Sequence, residues 1–167
     1  NASIQVYEET SGIKVDDPVV NTNAPLSMEL APGIMSGIFD GIGRPLEDIR
    51  QLVGNRITTG LSVDKLNRKT KWDFKATKKV GDVVTAGDIL GTVQETTVIE
   101  HRIMVPYGMQ GKITKIQSGK FTIVDTIAEI DGKPVQMLQK WPVRQARPIR
   151  RKLATSVPLI TGQRTID

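Results

Sequence analysis

Few side chains in this chain are of the types that move protons, bind metals or attack carbon and phosphorus centres. His101 is the only histidine, flanked by Glu100 and Arg102 in a strand-like run. A catalytic base needs an oriented partner, and a histidine metal site needs further ligands close in space. The sequence displays neither, so His101 reads as an ordinary surface or strand histidine. Asp16, Asp17, Asp82, Asp88 and Asp125 all fall at turn-like positions, where an aspartate side chain bonds the nearby backbone. Turn chemistry accounts for them with less than an acid and base pair would require. Ser118, Thr155 and Ser156 have no surrounding pattern that would activate a hydroxyl. Cysteine is absent, which excludes disulfide staples, thiolate zinc sites and cysteine nucleophiles and fits a reducing compartment. No Gly-x-x-x-x-Gly-Lys-Ser/Thr loop occurs. Gly37, Gly41 and Gly43 follow no clear strand and lead no convincing helix, so they read as turn and close-packing residues rather than a phosphate loop. On this reading no residue is catalytic, none binds a cofactor and none ligates a metal.

Charge is the next candidate for function. The formal net charge is +5, and much of the surplus sits in residues 140–152, where Lys140, Arg144, Arg147, Arg150, Arg151 and Lys152 stand without an acid. Such a stretch can neutralise phosphates, but Trp141 is its one aromatic, so it lacks the stacking platform of a single-strand binder. A solvated connector or a subunit-contact strip fits better, with no nucleic-acid partner. Pro142 and Pro148 argue against a regular element there.

The elements that would position these groups are short β-strands. Residues 79–130 carry Gly81-Asp82 and Gly87-Asp88 steps that punctuate β-branched runs, the pattern of a small, tightly folded β unit. Laid over itself at an offset of 38, this stretch sets Gly81 on Gly119, Gly87 on Asp125 and Ile89 on Ile127, which suggests a pseudo-twofold duplication. Trp72 and Phe74 alternate with polar residues to form an entry strand, Gly111 opens a strand around Ile113 and Ile116, and Asp131-Gly132 is a strong hairpin signal. Before this unit, residues 2–7, 13–20 and 26–30 read as strands. In the last of these Leu26, Met28 and Leu30 form the apolar side, Ser27 and Glu29 face water, and the pairing partners lie ahead of Asn1. Residues 46–53 predict a short helix with Glu47 and Asp48 at its positive end, and residues 54–67 read as an irregular linker.

With 167 residues the chain is long enough for one large or two small domains and a core. No apolar run reaches the length of a membrane span, so a soluble piece without membrane insertion is expected. The opening at Asn1 without a methionine, directly in a strand-like run, suggests a fragment.

Residues 79–130 are built like a biotinyl or lipoyl carrier domain, a barrel-sandwich hybrid. Those domains carry a modifiable lysine on a hairpin, where Glu95-Thr96-Thr97 here is followed by Val98, and the next lysine after Lys79 is Lys112. The resemblance therefore implies the fold without the acylation chemistry; a stand-alone carrier or interaction domain is the alternative functional reading.

A wider resemblance covers nearly the whole chain. Residues 2–12, Pro32-Gly33-Ile34, Phe39-Asp40-Gly41-Ile42 with Arg44-Pro45-Leu46, Ile103-Met104-Val105-Pro106, Gln139-Lys140-Trp141-Pro142-Val143-Arg144 and Pro158-Leu159-Ile160-Thr161-Gly162-Gln163-Arg164 resemble the catalytic A subunit of archaeal and vacuolar-type rotary ATPases. This implies a mainly β chain: the end of an N-terminal β-barrel (1–31), a connection (32–69), an inserted barrel-sandwich-like bulge domain (70–139) and a connector (140–167) toward a nucleotide-binding domain. It implies a parent that uses Mg-ATP for proton or sodium transport or for ATP synthesis. The family's phosphate-binding loop would lie a short way beyond Asp167, leaving this piece inactive alone. The implied partners are the B subunits of the hexameric head and, through the bulge, peripheral-stalk subunits, in a cytoplasmic assembly peripheral to the membrane.

Overall fold

The computed structural model describes residues 5–7, 9–58, 60–149 and 151–158. Its centre is a β module of eight strands. Alternation of apolar and polar residues sets each strand half in and half out of the core. In β2 (Trp72–Ala76) Phe74 is buried between the exposed Asp73 and Lys75. The strands β3 (Val83–Val84), β4 (Ile89–Gln94), β5 (Glu100–Met104), β6 (Gly111–Ile116), β7 (Gly119–Phe121), β8 (Thr126–Ile130) and β9 (Lys133–Gln136) follow. They form two four-stranded antiparallel sheets, ordered β5-β4-β2-β7 and β3-β6-β8-β9. Between them lies one apolar core that includes Phe74, Leu90, Val93, Ile103, Ile113 and Ile130, each buried side chain contributing about 1.5–3 kcal/mol. The described residues are mainly β, with a barrel-sandwich arrangement and no closed barrel among them.

The order of the sheets contains a twofold. Replacing β2, β4 and β5 by β6, β8 and β9, and exchanging β7 with β3, turns the first sheet into the second. The repeat runs at an offset of 37, not the 38 expected from the glycines. The N–H of Thr85 donates to Asp88 at 2.8 Å, and the N–H of Thr122 donates to Asp125 at 2.7 Å. Leu90, Gly91 and Val93 are buried as are Ile127, Ala128 and Ile130. The β4–β5 register shifts between Ile89 and Gly91, and the β8–β9 register between Thr126 and Ala128. Aligning on Gly87 and Asp125 misses by one because the repeated unit is the Thr-x-x-Asp turn, in which the aspartate and not the glycine makes the bond.

Asp131-Gly132 closes β8 onto β9 with φ values of 47° and 75°, the doubly positive backbone of a type I′ hairpin. The α-helix α1 (Leu46–Val53) carries Glu47 and Asp48 in its first turn, buries Ile49 and stops at Gly54, whose N–H bonds Arg50.

Four expectations fail outside the module. Residues 13–20 form no strand and their apolar side chains are exposed; a turn from Lys14 to Asp17 with Asp16 at φ 72° breaks the alternation, and the Asp17 carboxylate accepts the Lys14 N–H at 2.7 Å. Of residues 2–7, positions 2–4 lie outside the described residues, as does most of residues 158–164. The strand β1 (Ser27–Leu30) does form, but it pairs with β10 (Gln139–Pro142) across Glu29↔Lys140 and Leu30↔Gln139. The partner thus lies within the chain, and the basic stretch begins as a strand, its Pro142 at the strand's end where proline is tolerated. Glu29, expected to face water, is the buried polar residue of the described core. Both its carboxylate oxygens accept from Arg68 Nη2, at 2.7 and 2.6 Å. No helix among the described residues is long and apolar enough to cross a membrane.

Candidate functional site at the module junction

The polar side chains that sequence reading singled out separate into two groups. Asp82, Asp88 and Asp125 each accept the backbone N–H three residues earlier, from Lys79, Thr85 and Thr122. They are turn residues, and they are distributed around the module rather than gathered. Ser118 Oγ accepts the Ala76 N–H at 3.0 Å. Thr155 and Ser156 are exposed in the irregular segment after β10.

His101 differs from its sequence reading. It lies on β5, but its Nδ1 is 3.0 Å from Glu95 Oε2, and the Glu95 side chain is 0% exposed. Because a carboxylate can only accept, Nδ1 carries the proton. The other carboxylate oxygen, Glu95 Oε1, accepts the Met35 N–H at 2.8 Å. Glu95 therefore ties the β4–β5 hairpin to the turn after β1. A histidine and carboxylate are two members of a nucleophilic triad, yet the cleft beside His101 is lined by Leu30, Ile34, Arg102, Met104 and Gln139 among others, with no hydroxyl. The arrangement positions an element, and among the described residues lining that cleft no hydroxyl stands beside the pair. No signal in the sequence could have found Met35, which is 60 residues away from Glu95.

The same junction is reinforced from β10. Gln139 Nε2 donates to the Met104 carbonyl at 2.7 Å. Trp141 meets Tyr107 edge-to-face with ring centroids 5.7 Å apart, while the Arg147 guanidinium lies 4.3 Å from its ring centre. Both geometries are attractive through the ring quadrupole. A cleft of about 410 Å³ opens beside them, lined by Ala86, Gly87, Val105 and Pro148 as well. A second apolar cluster, Ala31, Leu66 and Ile123 with Phe39 and Trp72, packs the connection against the module.

In the glycine-rich loop after β1 a carboxylate of the chain gathers the donors. Asp40 Oδ1 accepts the N–H groups of Ile42 and Arg44 at 3.1 and 2.8 Å, and Oδ2 accepts Arg44 Nε at 2.7 Å. The chain's own carboxylate occupies the donors that an anion would need. Among the described residues no group of three or more His, Asp or Glu is placed to hold a metal.

Residues 63–144 match the family model described as ATPsynthase alpha/beta subunit barrel-sandwich domain. This part of the chain belongs to that family. Over 99% of its length the chain is 56% identical to the V-type ATP synthase alpha chain of Acetivibrio thermocellus. It is 54% identical, again over 99% of its length, to the corresponding chains of Clostridium botulinum and Clostridium tetani. The chain spans 29% of the length of these relatives. The barrel-sandwich domain is thus one part of a larger V-type ATP synthase alpha chain in its relatives, and β1 with β10 forms the ribbon on which it is mounted.

Proposed function

We propose that this chain is a non-catalytic part of a V-type ATP synthase A subunit, in which the barrel-sandwich domain acts by contact. The carrying observation is that similarity to V-type ATP synthase alpha chains is not confined to the domain but runs through 99% of the chain. The parent would use Mg-ATP to move protons or sodium ions, or make ATP from an ion gradient. Its nucleotide site would be supplied by sequence after Asp167, beginning with a glycine-rich phosphate loop. The B subunits of a hexameric head and peripheral-stalk subunits are the proposed partners, in an assembly on the membrane surface. The carrier alternative has less support, because Val98 occupies the hairpin tip, 86% exposed, where an acylated lysine would stand.

The test is twofold. The 167-residue chain, assayed with Mg-ATP, is expected to show no phosphate release above a buffer control, and turnover would overturn the non-catalytic reading. A tagged parent polypeptide is expected to co-purify with B and stalk subunits; a parent found only alone would overturn the assembly.

A further inference from the structure

The internal twofold provides a control for the module's own surface. At equivalent positions the fold solves the same packing problem twice, so a difference between the halves that the core does not require points outward. Val83 on β3 is equivalent to Lys120 on β7. Val83 lies across from Lys112, and Lys120 lies across from Asp73. The second half thus places a cation opposite an acid, with nothing apolar left in water. The first half leaves Val83 76% exposed beside an unpaired cation. The fold does not need an apolar residue here, since it accepts lysine at the same place.

The loop before β3 departs in the same direction. Between the equivalent positions Ala76 and Val83 lie six residues, 77–82, where between Ile116 and Lys120 there are three, 117–119. The added length carries Lys78, Lys79 and Val80, the last 62% exposed. Asp82 and Asp131 at this end accept the backbone N–H groups of Lys79 and Lys112 and keep their charge, but Lys78, Lys79, Lys112 and Lys133 outnumber them. Lys79 and Lys112 pair with no carboxylate among the described residues. Two exposed valines flanked by two free ammonium groups therefore stand at the end of the module where Asp131-Gly132 turns, while Glu95 holds the other hairpin against the turn after β1.

We propose that Val80, Val83, Lys79 and Lys112 form a docking surface for an acidic amphipathic helix of a partner subunit. The valines would meet its apolar stripe and the lysines its flanking carboxylates, matching charge across the rim. A strand is the poorer fit, because β3 is two residues long and presents almost no ladder to extend. The surface rests on the reading that the domain acts by contact within an assembly.

The experiment uses the complete parent polypeptide in its assembled complex. A photo-crosslinking benzophenone amino acid replaces Val80, Val83 or, as a control, Lys120. Crosslinks from Val80 and Val83 to one acid-rich helical segment are expected, with Lys120 giving only background. Val83→Lys copies the residue that the second half already tolerates. It is expected to leave the thermal midpoint unchanged while weakening retention of that partner roughly tenfold or more. Crosslinks to lipid, to a basic segment or at the level of the Lys120 control would overturn the surface, as would full retention by Val83→Lys. A parent that never enters the assembly would overturn both the surface and the functional reading; one that assembles but gives no crosslink overturns the surface alone.

Discussion

At Asp40 three donors converge on one carboxylate, two backbone N–H groups and the Arg44 guanidinium. Burial pushes this carboxyl up, but the hydrogen bonds from Arg44 and Ile42 together with the Arg44 charge outweigh it, so Asp40 sits below its ordinary value of 3.8. A carboxyl that is depressed in the folded state contributes stability that is fully present above its unfolded value. That contribution is lost as pH falls through the folded one. Asp40→Ala is therefore expected to cost about 1.5–3 kcal/mol near neutral pH. In urea titrations of both proteins, the gap should narrow as the pH is lowered through and below the ordinary carboxylate range. A gap that stays constant into acid would show that Asp40 acts through packing alone. Glu29 has a comparable local role: with its side chain only 9% exposed beside Arg68, it fixes β1 to the end of the linker, and removing either member would strand a charge.

Among the elements, β4 and β8 occupy equivalent places, and at one buried position of the pair glycine stands against alanine, Gly91 against Ala128. A Cβ at Gly91 would strike the Lys75 carbonyl and the Phe74 ring. Ala128 lies across from Ile116, next to a shift of the β6 register between Ile113 and Lys115, and Ile113 stands where the first sheet has Phe74. The bulge and the smaller side chain make room for the methyl group. Gly91→Ala is expected to destabilise the domain by about 1–3 kcal/mol through overpacking. Adding Phe74→Ile should recover only part of this, because the Lys75 carbonyl remains in the way. Thermal or urea unfolding of the single and double variants reads this directly, and full recovery in the double variant would show that the ring alone sets the limit.

For the whole molecule, the division is between a packed module and its exposed flanks. The two four-stranded sheets share one core, whereas residues 9–26 and 143–149 are irregular and lie on the surface. Amide hydrogen exchange of the 167-residue chain is expected to give strong protection in β2, β4, β6 and β8. Protection should be weaker in β1 and β10, since a two-stranded ribbon is marginal alone and depends on the Gln139, Trp141 and Glu95 contacts. Exchange should be fast in both flanks. Equal protection of ribbon and sheets would mean that the junction is as stable as the core.

Much of this was present in local chemistry. Asp131-Gly132 determined its hairpin because both residues tolerate positive φ, α1 was marked by its first-turn acids and Gly54, and the turn aspartates were recognisable because each bonds only three residues away. The small β unit followed from the same short-range signals, its barrel-sandwich class was implied by the resemblance of residues 79–130 to biotinyl or lipoyl carrier domains, and the missing lysine at Val98 was plain. Long-range pairing was not legible. Glu29 alternates as a water-facing residue until Arg68 is brought beside it, His101 looks solitary until Glu95 turns back at the hairpin, and residues 13–20 look like a strand until no neighbour arrives to pair with them. The offset of the duplication, and with it the contrast between Val83 and Lys120, needed the ladder registers. Short-range signals are properties of the chain itself. Burial and charge pairing belong to the neighbours that folding brings together, and those only the tertiary structure could supply.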